Sequence, residues 1–120
     1  DRRFLVLDAG MNDLVRPAMY DAWHNVLPVR QGGEDRIYDV VGPVCESGDV
    51  FGKARVLPEM KAGDLVAIET AGGYGAAMAS NYNFRPLCAE VLANGGDYAV
   101  IRERQSMDDM LKNTRPAPWL

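Results

Sequence analysis

Turn-forming residues interrupt this 120-residue chain about every 8–15 positions, and that spacing limits its fold more than any other feature. Short apolar runs lie between the interruptions, and none is long enough for a regular strand–helix alternation of the doubly wound kind. Residues 3–9 read as a buried strand closed by Gly10. Asn12 and Asp13 are placed to cap a short helix from Leu14 to about Ala22, with Pro17 in its first turns. Residues 23–29 form a second strand-like run, followed by a polar turn at 31–35. Ile37, Val41 and Val44 belong to the next extended run, and residues 53–57 alternate as a half-buried strand should. After a loop at 58–64, Leu65–Thr70 reads as a strand, and 71–79 is small and glycine-rich. Residues 87–92 and 98–103 flank Ala93-Asn94-Gly95-Gly96-Asp97, a strong hairpin signal. Ser106 and Asp109 have the spacing of a capping box for a final helix. The expectation is one mainly β domain, a Greek-key-like barrel or sandwich with two or three short helices.

Composition removes several classes of function. A formal net charge of -4, with no lysine-rich run, is unfavourable for nucleic acid or an anionic membrane. No apolar stretch approaches the roughly 18 residues of a membrane span, and no signal-peptide pattern opens the chain. Cys45 and Cys88 form no CxxC pair and read as free thiols of a reducing compartment, which predicts a cytoplasmic protein. His24 is the only histidine; beside Trp23 in an apolar run it reads as a satisfied, half-buried residue, so no metal site is expected. The chain lacks an initiator Met and opens almost at once on Phe4-Leu5-Val6-Leu7, which suggests part of a longer polypeptide.

Three segments carry side chains suited to chemistry. In the stretch 8–20, Arg16 and Tyr20 are four apart and would share a helix face, where a guanidinium and a phenol can receive a carboxylate. The same spacing also suits a solvated arginine beside a half-buried tyrosine. Segment 42–49 puts the thiol of Cys45, the carboxylates of Glu46 and Asp49 and the Ser47 hydroxyl in one glycine-flanked turn. There Cys45 could donate a proton and Glu46 pair with an ammonium group, or the turn could be merely polar. Segment 71–83 is rich in glycine around Tyr74, which suits either close approach to a ligand or a tight packing corner. It is neither a GxGxxG nor a P-loop.

Together, and in this order, the three segments resemble the C-terminal domain of diaminopimelate decarboxylases, enzymes of the alanine-racemase-like class that use pyridoxal 5'-phosphate (PLP). The matching stretches are Asp8-Ala9-Gly10-Met11-Asn12-Asp13 with Arg16-Pro17-Ala18-Met19-Tyr20, then Gly42 to Asp49, then Gly73-Tyr74-Gly75 with Ser80-Asn81-Tyr82-Asn83. Cys45-Glu46-Ser47 with Asp49 is the most specific part; related ornithine-type decarboxylases carry Asp where Glu46 stands. Gly73 departs from the Ala frequent in the family. The resemblance implies that Arg16 and Tyr20 hold the substrate's distal carboxylate and that Cys45 is the general acid. It implies that Glu46 meets the distal ammonium and that Tyr74 touches both cofactor and substrate, with Asp49 structural. It further implies an obligate homodimer in which Cys45 and Glu46 serve the partner's site.

A PLP enzyme needs a Schiff-base lysine. Lys53, Lys61 and Lys112 are the only lysines, each in a surface-like context. By resemblance, residues 1–120 are a single C-terminal β domain whose PLP-binding α/β barrel, along with some strands of the β domain, lies elsewhere. Two other readings stay open: a freestanding, non-catalytic β module for binding or dimerisation, and the same half of an ornithine- or arginine-type decarboxylase.

Overall fold

A computed structural model describes residues 2–119. The chain groups into two compact units, residues 1–79 and 80–120.

The first unit is built on a three-stranded sheet. β1 (Phe4–Val6) runs parallel to β3 (Asp35–Val41), and β3 is antiparallel to β4 (Val50–Pro58), giving the order β1-β3-β4. A separate two-stranded sheet pairs β2 (Val26–Pro28) with β5 (Val66–Ile68) in antiparallel register. Two helices accompany these strands, α1 (Arg16–Tyr20) and α2 (Gly72–Met78). Leu14, Val26, Tyr38, Val40, Phe51 and Leu57 form the buried core, with Leu5, Leu7, Met60, Val66 and Ile68 packed against it. The buried Tyr38 keeps its polar end satisfied, because its hydroxyl accepts the Met60 amide at 3.1 Å.

β4 is interrupted where it passes β3. Tyr38 pairs with Arg55 and Val40 with Gly52, so Lys53 and Ala54 together oppose Asp39, a β-bulge. The extra residue puts Ala54 at φ 51°, a left-handed conformation that an L side chain occupies at a cost of about 1–2 kcal/mol. Asp39 fixes the bulge: its carboxylate accepts the Ala54 amide at 2.9 Å and the Arg2 Nε at 2.6 Å. The Ala54 amide, and then Arg2, hold the Asp39 carboxyl below its ordinary pKa. Ala54→Gly should remove the conformational cost while adding some unfolded-state entropy, for a net gain of roughly 0.5–1 kcal/mol. A rise in melting temperature would register it.

The second unit contains a 3-10 turn at Tyr82–Phe84, the hairpin of β6 (Glu90–Asn94) and β7 (Asp97–Arg102), and α3 (Met107–Leu111). Gly95 and Gly96 make the two-residue connection, with Gly95 at φ 61° as a primed turn needs. Ser106 caps α3: its Oγ accepts the Asp109 amide while the Asp109 carboxylate accepts the Ser106 amide. Among the described residues of 80–119 none is buried, and both faces of the hairpin present apolar side chains, among them Leu92, Tyr98 and Ile101.

The mainly β character is as expected, and several boundaries change. The first helix starts at Arg16, not Leu14, and neither Asn12 nor Asp13 caps it; Val15 is the N-cap residue and makes no side-chain bond. The Asp13 carboxylate is used one turn earlier, accepting the Gly10 amide at 2.9 Å. Val44 lies beyond β3 in the following loop. The glycine-rich segment 71–79 contains the helix Gly72–Met78, with Ala71 and Ala79 as its caps. His24 is buried, not half-buried, and among the described residues it is satisfied on one side only: Nδ1 lies 3.0 Å from the Glu69 carbonyl, whereas Nε2 has no partner.

Candidate functional site

Three pieces of the first unit converge around α1. The turn at Gly10–Leu14 precedes it, closed by the Asp13 and Leu14 amides, which both donate to the Gly10 carbonyl. Pro17 sits in the first turn of α1, where its fixed φ favours the helix and its missing N–H costs nothing. Arg16 and Tyr20 are the first and last residues of this helix and share its face, with Tyr20 60% exposed.

α2 brings in Tyr74. Its Gly75 is buried on Leu14, close enough that a Cβ there would lie 3.6 Å from Leu14 Cδ1 and 3.8 Å from the Asp13 carbonyl oxygen. That seating sets the Tyr74 ring beside Arg16, whose guanidinium carbon is 5.2 Å from the ring centroid. Such a cation–π contact contributes about 0.5–1 kcal/mol at an exposed site. It also holds guanidinium and phenol side by side, with Tyr74 still 67% exposed.

The loop between β3 and β4 brings in Cys45 and Glu46, both exposed. Its backbone reaches α1 at Gly48, where a Cβ would stand 3.9 Å from Ala18 Cβ and 4.0 Å from Met11 Cε. Asp49 fixes the loop from inside. Only 3% exposed, it uses both carboxylate oxygens: Oδ1 accepts the Met11 amide and Oδ2 the Val44 amide, each at 2.7 Å. One side chain therefore ties the turn before α1 to the loop that bears Cys45. Gly42 is required at the same spot, since a Cβ there would overlap the Asp49 carboxylate. The Glu46 carboxylate accepts the Ser47 hydroxyl at 3.3 Å.

The structure thus brings Arg16 and Tyr74 into contact and fastens the Cys45–Glu46 loop to the helix that carries Arg16 and Tyr20. Sequence reasoning missed Arg55. It is 8% exposed, its Nε is buried without a hydrogen-bond partner among the described residues, and its guanidinium carbon lies 3.1 Å from the centroid of the Trp23 ring. Burial lowers its pKa from the ordinary value. Alternation in 53–57 announced a strand but did not say that arginine would take the inner face.

A family description fits this arrangement over residues 1–72: pyridoxal-dependent decarboxylase, C-terminal sheet domain. The chain belongs to that family. It is 51% identical over 118 residues to the diaminopimelate decarboxylase of Zymomonas mobilis, covering 98% of this chain and 28% of that protein. The sheet domain described here therefore spans little more than a quarter of the relatives it matches. A crystal structure of diaminopimelate decarboxylase from M. jannaschii in co-complex with L-lysine superimposes with a TM-score of 0.93 at 39% identity, covering 98% of this chain and 27% of that one. A lysine/ornithine decarboxylase from Vibrio vulnificus, complexed with cadaverine, superimposes with a TM-score of 0.59 at 36% identity over 66% of this chain.

The pyridoxal group sets its own requirement, an amine for covalent attachment. Lys53, Lys61 and Lys112 are all exposed on the surface, and none stands in an enclosed site that could hold the cofactor ring. The Tyr74 phenol, exposed beside Arg16, suits a non-covalent contact with such a group. Among the described residues no helix is long and apolar enough to cross a membrane.

Proposed function

We propose that this chain is the sheet domain of a cytoplasmic, homodimeric decarboxylase that converts meso-diaminopimelate to L-lysine and CO2. The observation that carries the reading is the fastening of three chemically distinct pieces: α1 with Arg16 and Tyr20, α2 with Tyr74, and the loop with Cys45 and Glu46. Much closer superposition on the diaminopimelate enzyme than on the lysine/ornithine enzyme favours this substrate.

In this proposal the PLP lysine and its α/β barrel lie outside residues 1–120, and further strands close the sheets described here into a Greek-key-like barrel. The apolar hairpin of β6 and β7, uncovered on both faces, supports such completion. When bound, PLP supplies the electron sink for loss of CO2. Arg16 and Tyr20 bind the distal carboxylate, the guanidinium as a charged fork and the phenol as a single donor. Tyr74 orients that guanidinium and contacts the cofactor. Glu46 pairs with the distal ammonium, so the two ends of the distal centre are read by opposite charges. Cys45 holds a proton at Sγ and delivers it to the carbon from which CO2 has departed. Cys45 and Glu46 act in the partner subunit's site.

The full-length protein should release CO2 from meso-diaminopimelate with a kcat/KM far above that for L-ornithine or L-arginine. Preference for either of the latter would overturn the substrate assignment. Glu46→Ala should reduce kcat/KM for diaminopimelate by about 2–5 kcal/mol of transition-state binding, as when one member of a buried charge pair is removed. An unchanged value would remove Glu46 from the substrate contacts.

A further inference from the structure

We propose that the cavity beside Arg55 is an anion subsite that receives a carboxylate edge-on. The cavity holds about 390 Å³ and is walled by Ala18 of α1, Trp23, Ser47 of the loop, and Gly52, Lys53 and Arg55 of β4. Arg55 is more than nine-tenths buried, yet among the described residues it forms no ion pair, and its Nε has no hydrogen-bond partner. A buried cation is normally matched by an anion or a network of acceptors. Here no carboxylate offsets the burial, which is the sole cause of its lowered pKa.

The stack around the guanidinium defines what can approach it. Trp23 lies 3.1 Å from its central carbon, and the Gly52 backbone is so close that a Cβ would overlap Arg55 Nε. Trp23 covers a flat face and Gly52 closes the Nε side of the guanidinium plane, so what remains is the in-plane edge formed by Nη1 and Nη2. A planar carboxylate is matched to that edge by two parallel hydrogen bonds, whereas a spherical ion such as chloride is not. Lys53, exposed on the cavity wall, adds a second positive charge; Asp21 also lines the cavity but pairs with neither cation. The carboxylate has two conceivable sources, a small free acid or an Asp or Glu side chain from the remaining polypeptide or a second copy.

The test uses the full-length protein. Calorimetric titration with sodium malonate, against sodium chloride of matched ionic strength, should show saturable binding that weakens by roughly tenfold or more in Arg55→Gln. Arg55→Lys keeps a charge without the fork and should also bind more weakly. Crystals grown without added carboxylate distinguish the sources. An open Arg55 edge together with malonate binding identifies a site for a free acid. An Asp or Glu side chain hydrogen-bonded to Arg55, with no malonate binding, upholds the carboxylate site and assigns it an internal occupant. The proposal is overturned if the edge meets only water and malonate does not saturate. Malonate binding that is unchanged in both variants overturns it as well, as does malonate seen only at soaking concentration, an adventitious additive only. Should Arg55→Gln fail to fold, the wild-type titration and crystals decide by themselves.

Discussion

Full-length Cys45→Ala should lose about 10²–10⁴-fold in kcat, the range that a positioned general acid contributes. The thiol stands exposed on a loop that Asp49 anchors, so its removal leaves the tie to α1 intact and should hardly affect melting. The informative version of the experiment mixes two inactive enzymes. One carries Cys45→Ala; the other lacks the lysine that binds the cofactor. If Cys45 works in the partner's site, a hybrid dimer has one site with both defects and one with neither. Random reassembly makes about half of the dimers hybrid, so activity should recover to roughly a quarter of wild type in a two-fold symmetric dimer. Activity that stays at the level of the separate mutants, although hybrids form, would place Cys45 in its own subunit's site.

The second large effect is expected at Asp49. Asp49→Asn is nearly isosteric but exchanges one carboxylate oxygen for an amino group. Because Oδ1 and Oδ2 each receive a backbone amide at 2.7 Å, one amide must then face another donor. Loss of a hydrogen bond to a charged, buried acceptor costs about 1.5–3 kcal/mol, and the orphaned amide adds its own desolvation cost. A destabilisation on the order of 3 kcal/mol should therefore appear as a marked fall in melting temperature. Asp49→Ala removes both bonds and should cost more. Either change frees the loop from the Met11 turn, so kcat should drop even where the protein remains folded. A fully active, fully stable Asp49→Asn enzyme would show that the loop is held by something else.

Local chemistry was legible where it was self-contained. The two glycines between β6 and β7 permit the turn without help from the rest of the chain. Ser106 and Asp109 satisfy each other's amides within one helical turn. The order of the Arg16–Tyr20, Cys45–Glu46 and Tyr74 segments was likewise visible, because it is carried by residue identity. The first helix was misjudged because Asp13 had two possible amide partners, and the Gly10 turn took it. The α2 helix was not legible: three glycines oppose helix formation, and what stabilises it is the seating of Gly75 on Leu14.

By itself the sequence determined the mainly β character, the hairpin, the last helix and the cast of side chains suited to the site, since each depends on neighbours within a few residues. Tertiary structure decided which of them meet. Asp49 reaches Met11 across 38 positions, Tyr74 finds Arg16 through the packing of Gly75, and a bulge at Ala54 turns Arg55 inward while Val56 faces out, 62% exposed. A period of two says that alternate residues share a face; only the packing partner says which face is inside, and here that partner is Trp23.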